Sequence, residues 1–315
     1  MNADQSPLKV RVVIPHYCSD QGRAASYGST RPGQRDKRIV ALGRTLGALR
    51  ALTMRSQMQD FIFNHNPVPP AEMPGPAALP PLAPLQPEPR PLELDVLVCV
   101  TGEAWLEGAL RAYSHNIRVV PLDLEDPIRL GLAARDVLLS ADSDADLLMY
   151  MEDDLVIHDP HFFEKQQWFV ERAGHQAVLM PHRYELSVDS KGAPRRLFVD
   201  GLIDEPSSAF FPWAAEDQAA SGYFRDQPVS FDLANNPHSG CFVVSAVQAH
   251  QLRENGIPGR GWVGPLETAA TFTVAHRFPV FKPSLFCRQF AMIEHAHHSF
   301  TSYFDVPVES AKLNK

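Results

Sequence analysis

Leu147-Leu-Met-Tyr-Met-Glu152-Asp153-Asp154-Leu155 changes character within one residue: an apolar run ends in three adjacent carboxylates, and Leu155-Val-Ile157 is apolar again. Packing alone does not ask for this. Neighbouring negative charges repel by about 0.5–1 kcal/mol per pair in water, and by more in a drier site. A divalent cation at the tip of a buried strand removes the conflict, because hard oxygen ligands suit Mg²⁺ or Mn²⁺. The rival reading is a solvated acidic turn.

Working outward, apolar strand-like runs alternate with helical periodicity. Val10-Arg-Val-Val-Ile-Pro15 reads as a first buried strand. From Arg38 to Met58, Ile39, Leu42, Leu46, Leu49 and Leu52 recur at helical spacing, with Gly43 and Gly47 one turn apart to let the helix approach the sheet. Leu94 to Thr101 is a second strand and Ala104 to Tyr113 a short helix. Ile117 to Pro121 is a third strand. Asp126-Pro127 opens a helix to about Ala141, with aspartate as cap and proline in the first turn. Beyond the acids, Asp159-Pro160 opens another helix and Ala177 to Met180 reads as a strand. The order β-α-β-α-β predicts a mostly parallel sheet with helices on both faces. Ligands of such sheets gather at the carboxyl ends of the strands, where the acids fall. Glu185 to Pro237 reads as loops and short antiparallel strands forming one wall of a cleft. Ser239 to Ser245 is a strand, Ala246 to Glu254 a helix and Pro265 to Arg277 another helix. Val280 to Leu285 and Ala291 to Glu294 are expected to finish the sheet.

The chain has 315 residues and a net charge of −8, so a broad nucleic-acid-binding surface is not expected. Four cysteines show no CxxC spacing; Cys99 and Cys241 read as buried thiols, which suggests a reducing compartment. The N-terminus has no basic region followed by an apolar run, and no apolar run reaches the ~18–20 residues of a membrane span. The expectation is a cytoplasmic protein without a transmembrane segment. Peripheral membrane contact stays open, since a small patch leaves little trace in composition. Eleven prolines fall between Pro67 and Pro91. Residues 66–92 therefore read as a proline-rich surface insertion, extended and unpaired. The organisation expected is one domain over 1–315, with a nucleotide-binding half (1–160), an acceptor-side half (161–300) and a tail (301–315).

Five motifs in order carry a resemblance. They are Val12-Val-Ile-Pro15-His16-Tyr17; Gly131-Leu-Ala-Ala134-Arg135-Asp136; Glu152-Asp153-Asp154; Trp262-Val-Gly264-Pro-Leu-Glu267; and Met292-Ile-Glu-His295-Ala-His297-His298-Ser299. Together they resemble nucleotide-diphospho-sugar glycosyltransferases of the GT-A fold, particularly the family-2-like group. The resemblance implies an α/β, Rossmann-like, mostly parallel central sheet with helices on both faces and a small antiparallel acceptor-side region. It implies transfer of a sugar from a UDP- or GDP-sugar to a glycan or other acceptor hydroxyl, with inversion favoured over retention. Pro15, His16, Tyr17, Arg135, Glu152 and Asp153 would then lie at the nucleotide. Asp154, Glu152 and His295 would hold Mn²⁺ or Mg²⁺. Glu267 would be the catalytic base, although its place at a helix start also suits a merely structural carboxylate.

The sequence departs from the family where Asp-Asp-Gly-Ser is usual: Thr101-Gly102-Glu103 stands there. Gln-x-x-Arg-Trp and membrane spans are missing, which argues against a processive synthase. Two alternatives stand beside the main reading. One is a sugar-phosphate nucleotidyltransferase, suggested by Gly28 to Arg38; the other is a non-catalytic, transferase-like protein that binds carbohydrate or a partner. In Gly28 to Arg38 the basic residues Lys37 and Arg38 read either as phosphate contacts or as a solvated cluster.

Overall fold

The computed structural model describes residues 6–19, 31–54, 61–62, 77–78, 89–140, 143–188, 191–200, 211, 213, 219–297 and 299–301. His298, most of the proline-rich insertion, all of Gly28 to Thr30 and all of the 301–315 tail but Thr301 lie outside these residues.

The central sheet runs β11-β4-β1-β2-β3, with β1 Leu8–Pro15, β2 Leu92–Thr101, β3 Arg118–Leu122, β4 Leu147–Met151 and β11 Cys241–Ser245. The first four strands are parallel; β11 runs antiparallel to β4 at one edge. The α/β class with a mostly parallel central sheet is the one the β-α-β-α-β pattern predicts. Strand alternation sorts β1 between two layers. Val10, Val12 and Ile14 pack with Leu42, Leu46 and Leu49 of α1 (Arg35–Met54) and with Leu110 of α2 (Glu107–Ala112). Val13 faces the other way, among Leu138 of α3 (Leu130–Ser140), Leu252 of α5 (Ala246–Asn255) and Val274 of a last helical segment, α6 (265–275).

Local chemistry sets several boundaries. Asp126 accepts a hydrogen bond from the Ile128 amide and caps the turn that leads into α3. Ser245 and Gln248 form a reciprocal capping box at the start of α5. α4 (Phe162–Arg172) starts later than Asp159-Pro160 suggests. Asp159 instead accepts the His161 amide just ahead of it.

Several expectations need correction. Val280 to Leu285 and Ala291 to Glu294 do not complete the central sheet. β12 (Val280–Pro283) joins the sheet β9-β10-β12-β6, with β6 Val178–Leu179, β9 Ala219–Phe224 and β10 Gln227–Leu233. β13 (Met292–His295) joins β8-β7-β13-β5, with β5 Leu155–Val156, β7 His182–Val188 and β8 Pro194–Phe198. In α1 Leu42, Leu46, Leu49 and Leu52 are buried as their spacing predicts, and Ile39 alone departs from that stripe. Ile39 is 40% exposed while Arg38 is buried, so the packed stripe runs Arg38, Ala41-Leu42, Thr45-Leu46, Leu49. The α1 glycines admit Tyr113 rather than the sheet: its hydroxyl donates to the Gly43 carbonyl and lies where a Cβ at Gly47 would be 3.2 Å away. Within the proline-rich insertion the non-proline pair Ala77–Ala78 does pair, with Phe61–Ile62. Cys99 and Cys241 are buried free thiols, as expected. Among the described residues, no helix is long and apolar enough to cross a membrane.

Candidate active site

The three acids leave the carboxyl end of β4 in a turn, so the strand's alternation no longer governs them. Asp153 and Asp154 are both buried, and one residue from α1 binds both. Arg38 donates through Nη1 to Asp154 Oδ2 at 2.9 Å and through Nη2 to Asp153 Oδ1. The other oxygen of Asp153 lies 2.6 Å from Nδ1 of the fully buried His16. Because His16 Nε2 accepts the Leu106 amide, Nδ1 carries the proton and donates to Asp153. His16 and Asp153, expected at the nucleotide, are therefore saturated by the protein's own groups. Their role is to fix the β1–β4 junction and hold Arg38 in place. Pro15 and Tyr17 flank His16 at the carboxyl end of β1, with Pro15 in register with Cys99 and Tyr17 half-buried against the apolar layer beneath α3.

Asp154 is different. Its Oδ2 takes Arg38 and lies 3.6 Å from His295 Nε2, while Oδ1 is buried with no hydrogen-bond partner. Burial opposes its ionisation, but His295 and Arg38 outweigh burial and hold the carboxyl well below the usual range. His295 comes from β13. Its Nδ1 donates to Glu185 Oε1 at 2.7 Å, which turns Nε2 toward Asp154. Burial works against its charge, but Asp154 and Glu185 prevail and push the imidazole up to about 9.

Glu185 was not singled out in the sequence, yet it organises this corner. Its two oxygens also accept the amides of Ser299, Phe300 and Thr301. Burial is outweighed by His295 and these amides, and the carboxyl falls to about 2. The same bonds seat the Phe300 ring 6.0 Å from that of His295 and 5.8 Å from the Arg183 guanidinium.

Among the described residues, no group of three or more His, Cys, Asp or Glu side chains is placed to hold a metal ion. Asp154 Oδ1 is unpartnered, and His295, its ring fixed by a carboxylate behind it, brings Nε2 to 3.6 Å from Asp154 Oδ2, where a bound cation would have to displace the Nε2 proton. Orientation of a ligating histidine by an outer carboxylate is the usual support of a metal site. An oxygen and an imidazole nitrogen are a donor set that suits Mn²⁺ or Mg²⁺, but these two residues alone would leave most of its coordination to other ligands. Glu152 does not fit as the third ligand expected of it. Its amide donates to the Gly240 carbonyl, and its carboxylate faces Arg183 at 3.8 Å. Burial pushes that carboxyl up to about 8 against the pull of Arg183, with Asp154 adding repulsion. Gly240 sits at φ +65°, where a Cβ would lie 2.9 Å from Glu152 Oε2, so glycine is needed for this approach.

Behind Glu152 lies a buried polar network that sequence reasoning missed. Arg183 donates to Asp200 Oδ1 at 2.8 Å. Lys282 donates to the His238 carbonyl at 2.7 Å and lies 3.8 Å from Asp200 Oδ2. Burial lowers Lys282 to about 8 despite Asp200, and burial with Arg183 lowers His238 to about 3.

Glu267 occupies the first turn of α6 after Pro265, as the sequence suggests. Its Oε2 is buried without a hydrogen-bond partner. Two irregularities adjoin it. Val263, a β-branched residue, takes φ +52°, a strained conformation of the kind that collects at functional sites. The helix then widens to a π-turn over Thr268–Phe272, another frequent mark of function. Thr268 Oγ1 donates to the Trp262 carbonyl and ties the strained turn to the helix.

Arg135 is not at the acids. It is buried and bonds the Pro258 carbonyl, Thr273 Oγ1 and Asp136, fastening α3 to α6. Gly131, in the same motif, is needed because a Cβ there would lie 3.0 Å from the Tyr150 hydroxyl. Lys37 is exposed, whereas Arg38 is buried. His297 is half-buried with its ring centroid 6.4 Å from that of His295. Trp213 stacks on Phe211 and donates to the Ala275 carbonyl, and Phe224 packs on Trp168 and Phe290.

No protein-family model matches the chain, and no curated protein matches it in sequence. Among solved structures it is similar to S. aureus TarS 1–349, with a TM-score of 0.41 and 12% identity over 87% of this chain and 60% of that one. A longer S. aureus TarS structure gives 0.41 and 12% over 87% of this chain and 36% of that chain. TarS 1–349 in complex with UDP gives 0.39 and 12% over 87% and 60%. The chain thus spans about 60% of the first of these structures.

Proposed function

We propose that this protein is a glycosyltransferase that moves a sugar from a UDP- or GDP-sugar to an acceptor hydroxyl with inversion. The observation that carries the reading is the buried Asp154 Oδ1, without a hydrogen-bond partner in the turn at the carboxyl end of β4; a like oxygen, Glu267 Oε2, stands in the first turn of α6. A buried oxygen without a partner costs about 1–3 kcal/mol, a cost that a ligand removes. Asp154 and His295 would hold Mn²⁺ or Mg²⁺ beside the donor's diphosphate. When bound, the ion supplies positive charge against the diphosphate as the sugar–oxygen bond breaks.

The chain's own groups do the rest. Glu267 accepts the proton of the acceptor hydroxyl as that oxygen attacks the anomeric carbon, and the electron pair of the breaking bond leaves with the diphosphate. Arg38 holds Asp153 and Asp154 together, so the site closes on the leaving group without repelling itself. Arg183, 3.8 Å from the Glu152 carboxylate, offsets its charge behind the site. Phe300 and the Glu185-anchored segment shield His295 from water.

The test is release of nucleoside diphosphate from UDP- and GDP-sugars across an acceptor panel with Mn²⁺ or Mg²⁺. Activity that disappears in Asp154→Asn supports the reading; pyrophosphate release assigns a nucleotidyltransferase instead. The Arg38 guanidinium, which already offsets both aspartates, favours one further reading: a non-catalytic sugar-nucleotide binder. Donor binding without turnover on any acceptor would select it.

A further inference from the structure

Four large apolar side chains stand exposed on two neighbouring pieces of backbone: Leu186 (39%), Val188 (59%), Leu285 (65%) and Phe286 (96%). They share one surface. In the β7–β8 hairpin, Tyr184 pairs with Phe198, Leu186 with Arg196 and Val188 with Pro194, and paired residues lie on the same face. Arg196 lies over the Tyr184 ring at 5.3 Å. The turn Leu285–Phe290 is joined to this face by Arg288, which lies 6.0 Å from the Phe198 ring and donates to the Leu285 carbonyl at 2.8 Å. His182, at the head of β7, lies 2.6 Å through Nε2 from the Pro283 carbonyl, just before the same turn.

The charge here runs against that of the chain. Among described residues 182–188, 191–198 and 285–290, the exposed basic side chains on this face are Arg196 and Arg288, with Lys191 beyond the end of the strands; Arg195, paired with Ser187, and the buried carboxylate Glu185 belong to the opposite face. The whole chain carries −8. A basic patch around protruding apolar side chains, on an otherwise acidic protein, is complementary to a surface that is anionic outside and apolar just beneath. Phe286 projects from a turn instead of lining a groove, a shape that suits insertion more than enclosure of a peptide.

We propose that this face docks the protein on an anionic lipid surface, with Leu285 and Phe286 entering the headgroup–acyl boundary and Arg196 and Arg288 pairing with lipid phosphates. The inner face of the same hairpin carries Arg183 and Glu185, so docking sets the acidic cluster one sheet's thickness from the membrane. This inference does not depend on the reaction assigned to that cluster.

Vesicle co-sedimentation of the full chain tests it, with phosphatidylcholine alone and with about 30% phosphatidylglycerol added, a content that gives a strongly negative surface. The chain should sediment with the anionic vesicles at low salt, fall off as salt screens the arginines, and stay in solution with neutral vesicles. Leu285→Ser with Phe286→Ser, and separately Arg196→Glu with Arg288→Glu, should each lower the partition about tenfold or more. Unchanged thermal melting of both variants, expected for exposed positions, shows that the loss is of docking and not of fold. Equal binding to neutral vesicles, no binding to anionic ones, or variants that sediment like the parent overturn the proposal. So does self-association by light scattering that Leu285→Ser with Phe286→Ser abolishes, which would assign the face to a second copy of the chain.

Discussion

Replacing Arg38 with methionine separates two ways of neutralising the acid cluster. The apolar stem is kept and the guanidinium lost, so Asp153 and Asp154 are left buried with one cationic partner fewer. Arg38 is 7% exposed and bonds both carboxylates. Removing one partner of a buried ion pair costs about 3–5 kcal/mol. For a domain of 150–250 residues each kcal/mol moves the thermal midpoint by about 2–4 °C, and less in a longer chain. At about 2 °C per kcal/mol the variant should melt about 6–10 °C below the parent in EDTA. Freed of the guanidinium, the aspartates should then accept a cation more readily. At 100-fold excess over its Kd, Mn²⁺ stabilises by about 2.7 kcal/mol, which returns about 5 °C. Differential scanning fluorimetry of both proteins in EDTA and in graded Mn²⁺ reads all of this. A drop below about 2 °C in EDTA, or the same Mn²⁺ response in variant and parent, would refute the reasoning.

Glu267→Gln should lower kcat by about 10²–10⁴ with donor affinity unchanged. Single-turnover kinetics beside calorimetric donor binding decide this, and a loss under about threefold removes Glu267 from the base role. Gly240→Ala should destabilise by about 1–3 kcal/mol in urea unfolding, since the site combines φ +65° with a Cβ 2.9 Å from Glu152 Oε2; parental stability would contradict the packing described. His238 is held down at about 3 from an ordinary 6.5, so between those values the unfolded chain binds a proton that the folded chain does not. Stability should therefore fall as pH drops from about 6.5 toward 3, and His238→Asn should flatten that part of the profile; equal acid sensitivity in parent and variant would show that His238 is not the group responsible.

The sequence exposes those features that chain-local chemistry writes into it. Strands β1, β2 and β4 are short apolar runs, Asp126 is a cap followed by proline, and the acids interrupt a buried strand in a way that no ordinary turn requires. Glu267 follows Pro265 in a recognisable helix start. The rest depends on partners far along the chain. Arg38 reaches Asp154 across 116 positions, and Glu185 reaches His295 across 110. No periodicity marks either contact. In α1 the leucine stripe extends back to position 38 or 39, and apolar character favours Ile39 where the fold buries Arg38. Short runs such as Val280 to Leu285 announce a strand but not its neighbour, which is why β12 and β13 were expected in the central sheet. The π-turn after Glu267 is a change in hydrogen-bond register that apolar spacing does not record. Arg135 looked like a ligand-facing arginine because the motif around it is shared with such residues; its burial against Pro258 and Thr273 is a tertiary fact.

The account rests on Asp154 and His295 gripping a cation together with a substrate diphosphate. Isothermal titration of UDP- and GDP-sugars into the parent and into Asp154→Asn, each with Mn²⁺ and with EDTA, tests that claim directly. The parent should bind one donor class tightly with Mn²⁺ and at least about tenfold more weakly in EDTA, a difference of about 1.4 kcal/mol, and the variant should lose the difference. Donor binding indifferent to Mn²⁺, or Mn²⁺-dependent binding that survives intact in Asp154→Asn, would contradict it.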